Sequence, residues 1–419
     1  MNLSLIFPSR NGREFLEWSY NSIRKNQGDH HVEILVLDDK SDKDDTWEWC
    51  LKTMETDPLF RAFRNETNDR LGISGGHKFL SQYVDTEIIG HFHNDMMLTE
   101  GALDMIEEYL FEDEFIDIGY GDGWTHKTPL VNNVVCLTRI EPSIGYVSGP
   151  EKIIWHNAPI ELEDWDEQVF LNELPNLKQQ WGNKTTAGHF APFFMFTKQY
   201  NEIGGIDSIT FQKQSREDSD FAFRLTLAKF NTVQIPAFVF HFCSRGSRRQ
   251  KYETNVMTDN PAWIAHNIVA TRNFIRKWQT INLHDDYLKP RSPHRYDIGF
   301  KITNCYSQLL NTLEPWCDSV ICDLHPTDIS KYIKEEQPNT TYCDLNLKIN
   351  PKGSYKIPDI IIEIDGKTFM QEDMTYLMSI SEILTDSGEI GTMKLGNLTL
   401  HINALTHYEN ELIVCKNGQ

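Results

Sequence analysis

Four polar clusters in the chain have residue types and spacing suited to chemistry on a phosphorylated substrate. Leu37-Asp38-Asp39-Lys40-Ser41-Asp42 sets adjacent carboxylates directly after an apolar run. Carboxylates there can accept from a nucleobase N–H or a ribose hydroxyl, and a solvated acidic loop is the plainer alternative. His93-Asn94-Asp95 follows a second apolar run. Asp95 offers oxygen to a hard cation such as Mg²⁺, and His93 offers nitrogen to Mn²⁺; helix capping by Asn94 or Asp95 is the rival use. Ser215-Arg216-Glu217-Asp218-Ser219-Asp220 leads into a segment whose Phe221, Leu225 and Ala228 share a helical face. Glu217 and Asp218 then fall in the first helical turn, where a carboxylate can act as general base or simply cap. His241 lies within an apolar run, where a histidine suits the core as well as a ligand set, and Arg245, Arg248, Arg249 and Lys251 follow it. That basic cluster can offset the charge of a diphosphate, and nucleic-acid contact is its other use.

The elements that must position these groups follow from periodicity. Residues 2–7 and 32–37 are short apolar runs, and Phe15, Leu16, Tyr20 and Ile23 between them recur at helical spacing. Strand, helix and strand in about 40 residues begin a parallel sheet, and ligands of such sheets collect at the carboxyl ends of the strands. The pattern continues with a helix over 45–54, a glycine-rich segment at 72–76 opening another, and a strand over 87–92. Residues 113–176, rich in Gly, Trp and acids, read as long loops. A strand is expected over 190–196, a helix over 218–230, a strand over 232–242 and a helix over 263–278. Residues 284–295, with two prolines and several charges, read as a linker between a domain spanning 1–283 and a smaller C-terminal α/β domain spanning 296–419.

The 419 residues carry 61 Asp plus Glu against 40 Lys plus Arg, a net charge of -21. That excess argues against broad contact with a phosphate backbone or an anionic membrane. No run approaches the roughly 20 apolar residues of a membrane span, and the N-terminus lacks a basic segment of secretory type, so a cytoplasmic protein is expected. The eight cysteines are scattered without a Cys-x-x-Cys pair, which signals neither a disulfide framework nor structural zinc.

Taken in order, Leu3 to Asn11, Leu37 to Asp42, Asn68 to Lys78 with its glycines, His93-Asn94-Asp95, Ile203-Gly-Gly-Ile-Asp207 and Arg216-Glu217-Asp218 resemble the family-2 glycosyltransferases of GT-A fold over about residues 1–245. The resemblance implies a Rossmann-like α/β fold, a nucleoside diphosphate sugar as donor, and Mn²⁺ or Mg²⁺ as cofactor. It implies that Asp39 binds the base, with Pro8, Ser9, Arg10, Asn11, Gly75, Lys78 and Asn94 in the same nucleotide site. Asp95 matches the last residue of the family's Asp-x-Asp metal motif, His93 stands where its first aspartate usually is, and His241 looks like the late histidine that completes the metal site. Asp218 matches the catalytic base, with Glu217 beside it, which implies inversion at the anomeric carbon. Lys40 replaces a frequent glycine. Arg245, Arg248 and Arg249 are assigned to the diphosphate. The acceptor is expected to be a glycan or glycoconjugate, with Trp124, Trp155, Trp165 and Trp181 as sugar platforms or loop anchors. A hydroxymethylated base of phage DNA, reached by the basic loop with Arg291 and Arg295, is the alternative acceptor. A catalytically inactive glycan-binding module is the rival of another class, and oligomeric state is open.

Overall fold

The computed structural model describes residues 1–117, 123–144, 149–181, 186–188, 191–243, 259–351 and 356–415. The expected opening is present. Strand β1 (Asn2–Ser9) is followed by α1 (Arg13–Asn26), β2 (His31–Asp38), α2 (Thr46–Thr56), β3 (Phe60–Arg64), α3 (Gly72–Ser81) and β4 (Ile88–His91). β1 pairs in parallel with both β2 and β4, and β2 with β3. Leu3, Leu5, Ile6 and Phe7 are all fully buried, as expected of a strand covered on both faces.

The second half of the sheet corrects the reading of 113–176 as loops. After β5 (Met96–Leu98) and α4 (Ala102–Leu110) come a hairpin, β6 (Phe111–Asp117) with β7 (Gly123–Pro129), then β8 (Asn133–Pro142), β9 (Lys152–Trp155) and α5 (Glu167–Trp181). β10 (Phe193–Phe196), α6 (Thr197–Glu202), α7 (Glu217–Leu227) and β11 (Asn231–His241) complete the lobe. The strand order is β3-β2-β1-β4-β10-β8-β11-β5, with β9 against β8. β8 is therefore interior. Its run Val134-Val-Cys-Leu-Thr-Arg-Ile140 has the apolar content of a buried strand, diluted in any wide window by the glycines, tryptophans and acids around it.

Helix α8 (Pro261–Trp278) joins this lobe to a second sheet built from β12 (Ile298–Thr303), β13 (Ser319–Cys322), β14 (Ile360–Asp365), β15 (Gly391–Leu395) and β16 (Leu398–Ile402), in the order β13-β12-β14-β16-β15. Helices α9 (Ser307–Leu313), α10 (Pro326–Glu336), α11 (Leu345–Lys348), α12 (Gln371–Met378) and α13 (Ile380–Ser387) lie between these strands. The C-terminal α/β unit is as expected, but its first strand, β12, was not foreseen. Buried ion pairs fasten α8 to both lobes. Lys277 Nζ lies 2.8 Å from Asp207 and 2.7 Å from Asp220 on the N-terminal side, and Arg276 lies 2.6 Å from Glu314 on the other. The segment 284–295 is anchored at its end, where Arg295 is buried, donates from Nε to the Lys277 carbonyl at 2.9 Å and pairs with Asp318. Among the described residues, no helix is long and apolar enough to cross a membrane.

Candidate active site

The carboxyl ends of β1, β2 and β4 bring Pro8, Ser9, Arg10, Asn11, Asp39 and Asn94 together. The Ser9 carbonyl accepts from the Asp39 N–H at 2.8 Å, and Asn94 Nδ2 donates to Ser9 Oγ at 3.1 Å. Arg10 Nη2 and Asn11 Nδ2 both donate to Asp42, at 3.0 and 2.8 Å, so the first two strand-end loops are tied to each other. A cleft of about 580 Å³ opens beside them, lined by Arg10, Lys40, Arg64 and Arg70 with the acids Asp42 and Glu66 and the polar Ser41 and Asn65. Arg64 and Arg70 were not singled out in the sequence, because an arginine at the end of a short strand and another in the loop after it carry no local pattern. Lys40 has φ +63°, the left-handed conformation that the glycine frequent at this position would adopt without strain.

Asp39 is more committed than expected. Its Oδ1 accepts from Asn65 Nδ2 at 2.7 Å and the Leu71 N–H at 2.9 Å, and its Oδ2 from the Gly72 N–H at 2.8 Å. It thus caps α3, supplying acceptors to backbone donors that a helix start leaves unpaired. Three of the roughly four acceptor positions of a carboxylate are used. Two expectations on α3 are corrected. Lys78 is directed away from the cleft, where its Nζ donates to the Gly204 carbonyl at 3.0 Å. Gly75 faces its own helix, its added Cβ meeting Leu71 at 3.0 Å, whereas one on Gly76 would meet Pro8 at 2.6 Å. Gly76 is the glycine that lets α3 close on β1.

His93, Asp95 and His241 converge, each with a potential ligand atom within 4.8 Å of the others. The sheet dictates this. His241 ends β11 opposite Met96 of β5, next to Asp95, and on its other side β8 runs in parallel with Phe240 opposite Ile140, next to Glu141. His241 Nδ1 is 2.8 Å from Glu141 Oε1, and its Nε2 is 3.5 Å from Asp95 Oδ1. Glu141, buried and balanced by Arg139 at 3.3 Å and Lys152 at 3.1 Å, fixes the ring so that Nε2 faces Asp95. Sequence reading missed Glu141 along with its strand. A histidine whose outward nitrogen is held by a carboxylate is the usual arrangement behind a metal ligand.

Burial by itself raises the Asp95 carboxyl, but the charge and hydrogen bond of His241 more than reverse this and bring it to about 2. Burial lowers His241, and Asp95 and Glu141 outweigh it, raising the imidazole to about 10, so a cation entering the cluster must displace the His241 proton to gain that ligand. Burial dominates at His93 and lowers it to about 4, so its ring is neutral at pH 7 and able to bind metal. Two imidazoles and one carboxylate fit Mn²⁺, which takes nitrogen and oxygen donors, better than the oxygen-preferring Mg²⁺.

The segment before α7 is held in an unusual backbone. Lys213, Ser215 and Arg216 have φ of +66°, +80° and +69°. The Lys213 carbonyl accepts from the Ser74 N–H at 3.0 Å, Arg216 Nε donates to Thr271 Oγ1 of α8 at 3.1 Å, and His266 Nε2 pairs with the Gln214 carbonyl at 2.7 Å. Such strain persists where surrounding contacts enforce it, commonly at functional sites. The three acids that follow divide the work. Asp220 is fully buried and bound to Arg224 at 2.8 Å and Trp278 Nε1 at 2.9 Å, which anchors the helix. Asp218 is half-buried, with Oδ1 accepting from the Ser219 N–H at 2.6 Å and from its hydroxyl at 3.2 Å. Its Oδ2 has no hydrogen-bond partner among the described residues. Glu217 is buried, its Oε2 has no hydrogen-bond partner among the described residues, and burial, with the adjacent Asp218 charge, raises its carboxyl to about 8.

Arg245, Arg248 and Arg249 lie outside the described residues, as does the side chain of Trp124. Trp155, Trp165 and Trp181 are loop anchors. Trp155 and Trp181 are buried, and Trp165 packs at 4.5 Å between ring centroids on Phe240. Arg295 is spent on Lys277 and Asp318, which removes it from the surface that the nucleic-acid reading needs.

The model of the family "Glycosyl transferase family 2" matches residues 4–127. No curated protein matches the chain. Similar solved structures include GalNAc-T7 with UDP, GalNAc and Mn²⁺, at 13% identity over 66% of this chain and 48% of that one, with a TM-score of 0.42. They include the mannosyltransferase PcManGT from Pyrobaculum calidifontis in complex with GDP-Man and Mn²⁺, at 15% identity over 66% and 63%, TM-score 0.38. S. aureus TarS 1-349 is similar at 14% identity over 58% and 59%, TM-score 0.34. This chain thus spans less than two thirds of the length of each. The matched segment holds β1 to β4, the strand-end loops with Asp39, and the His93-Asn94-Asp95 triplet. The family match is thus confined to residues 4–127, which lie in the N-terminal lobe and carry the first strands of its α/β sheet.

Proposed function

We propose that the chain is an inverting glycosyltransferase that moves a sugar from a nucleoside diphosphate donor, a UDP-sugar in the first instance, to a hydroxyl of a carbohydrate or glycoconjugate acceptor. The observation that carries the reading is the convergence of His93, Asp95 and His241 with Glu141 behind them, together with an Asp218 held by one oxygen. The cleft lined by Arg10, Lys40, Arg64 and Arg70 offers cationic groups to the nucleotide. Mn²⁺ held by His93, Asp95 and His241 would supply positive charge to the departing diphosphate.

The remaining work falls to the chain's own groups. Ser219 fixes Asp218 Oδ1, which leaves Oδ2 to accept the proton of the acceptor hydroxyl as its oxygen attacks the anomeric carbon. Attack from the face opposite the diphosphate inverts that carbon. A positioned carboxylate of this kind contributes about 10² to 10⁴ in rate. The test is hydrolysis and transfer with a panel of nucleotide sugars, with Mn²⁺ and with EDTA, followed by analysis of the product's anomeric configuration. Metal-dependent transfer with inversion supports the reading. Turnover unaffected by EDTA, or retention, refutes it.

A further inference from the structure

We infer that His294, His407 and Glu409 form a second metal site, for a divalent ion of the zinc class, which clamps the segment entering the C-terminal lobe to the segment leaving it. None of the three belongs to the active-site cluster. His294 ends the 284–295 segment, and His407 and Glu409 follow β16. The Tyr408 N–H donates to the Arg295 carbonyl at 2.8 Å, which sets the two segments side by side.

The donor atoms face one another. His294 Nδ1 lies 2.9 Å from Glu409 Oε1, His407 Nδ1 lies 4.0 Å from the same oxygen, and one ligand atom of each residue is within 4.8 Å of the others. An ion with tetrahedral bonds of about 2.0 to 2.2 Å separates its ligand atoms by about 3.3 Å, between the two observed values. The outward atoms are already held. Glu409 Oε2 accepts from the Arg295 N–H at 3.1 Å. His407 Nε2 pairs with the Tyr296 hydroxyl at 3.4 Å, which in turn meets Thr385 Oγ1 at 2.9 Å. Such partners orient a metal-binding imidazole and carboxylate.

The imidazole rings stack with centroids 3.8 Å apart and planes at 20°. Their side chains are 42% and 41% exposed, which leaves positions for water on a shared ion, while the carboxylate between them is 7% exposed. Two imidazoles and a carboxylate select Zn²⁺, Co²⁺ or Ni²⁺ over Mg²⁺ or Ca²⁺. Arg295 and Tyr408, next in sequence to the ligands, line a cavity of about 570 Å³ between the lobes together with Asp207 and Lys277. An ion here stiffens one wall of that cavity.

The test is Zn²⁺ titration of the full chain by calorimetry, with Co²⁺ absorption as a second readout, on wild type, Asp95→Asn and Asp95→Asn with His407→Ala. Asp95→Asn takes the carboxylate from the active-site cluster and leaves His294, His407 and Glu409 untouched, so Zn²⁺ binding is expected to remain. Adding His407→Ala is expected to weaken that remaining site by about tenfold or more. Equal melting temperatures in EDTA show that the fold is intact; if His407→Ala fails to fold, His294→Gln replaces it. The inference is overturned if Asp95→Asn abolishes all Zn²⁺ binding, or if the second substitution leaves the affinity unchanged.

Discussion

Glu217→Gln is expected to stabilise the protein at neutral pH, because the native carboxyl is buried beside the Asp218 charge, with no hydrogen-bond partner for Oε2 among the described residues. The ordinary group loses its proton near 4.5, and the folded one keeps it to about 8. Between those values the folded state binds more protons than the unfolded state, so stability falls as pH rises through the window and levels off above it. At about 1.4 kcal/mol for each tenfold in proton affinity, keeping the proton to pH 7 costs on the order of 3 kcal/mol. Glutamine fills the same volume without that cost. The assay is urea unfolding followed by tryptophan fluorescence, comparing variant and wild type at about pH 5 and about pH 8. The gain from the substitution should be small at the acidic end and grow to the order of 4 kcal/mol at the basic end. A gain independent of pH, or a wild type more stable than the variant at the basic end, would refute the reasoning. Stability given up beside a reacting group is the expected pattern when a site is arranged for function.

Two further outcomes test how the site is held. Glu141→Gln should weaken Mn²⁺ binding by about 10- to 100-fold, since the carboxylate that orients His241 is lost; Mn²⁺ titration followed by electron paramagnetic resonance checks this, and unchanged affinity would leave Glu141 with no part in the cluster. Gly72 has φ +66°, and a Cβ there would meet Lys213 Cα at 2.4 Å. Gly72→Ala should push the strained loop off α3 and lower kcat/KM of transfer by about tenfold or more, as small displacements of catalytic groups do. Wild-type kinetics in that variant would show that the loop contact does not position Asp218.

The parts of the fold that were legible are those with a clean period. β1, α1 and β2 carry uninterrupted apolar runs and a helical stripe, and the strand ends place Asp39 and Asn94 beside Ser9 as the topology requires. The places of Asp95 at a strand end and of Glu217 and Asp218 in a first helical turn followed from the apolar runs beside them. Glu141 was not, since its partner His241 is distant in sequence and only the parallel pairing of β8 with β11 joins them. Arg64 and Arg70 enter the cleft for the same reason, through strand order rather than local pattern. Lys78 was misassigned because its place on α3 does not reveal the Gly204 carbonyl that it meets. Trp155, Trp165 and Trp181, read as open to either role, anchor a core in which Phe170, Phe240 and Phe242 gather around them.

The most direct measurement is donor binding and transfer by Asp218→Asn. The variant keeps the Ser219 contacts and the metal-type cluster, so binding of a nucleotide sugar in the presence of Mn²⁺ should stay within a few-fold of wild type while transfer falls by about 10² or more. Transfer at the wild-type rate would contradict the assignment of Asp218 as the base.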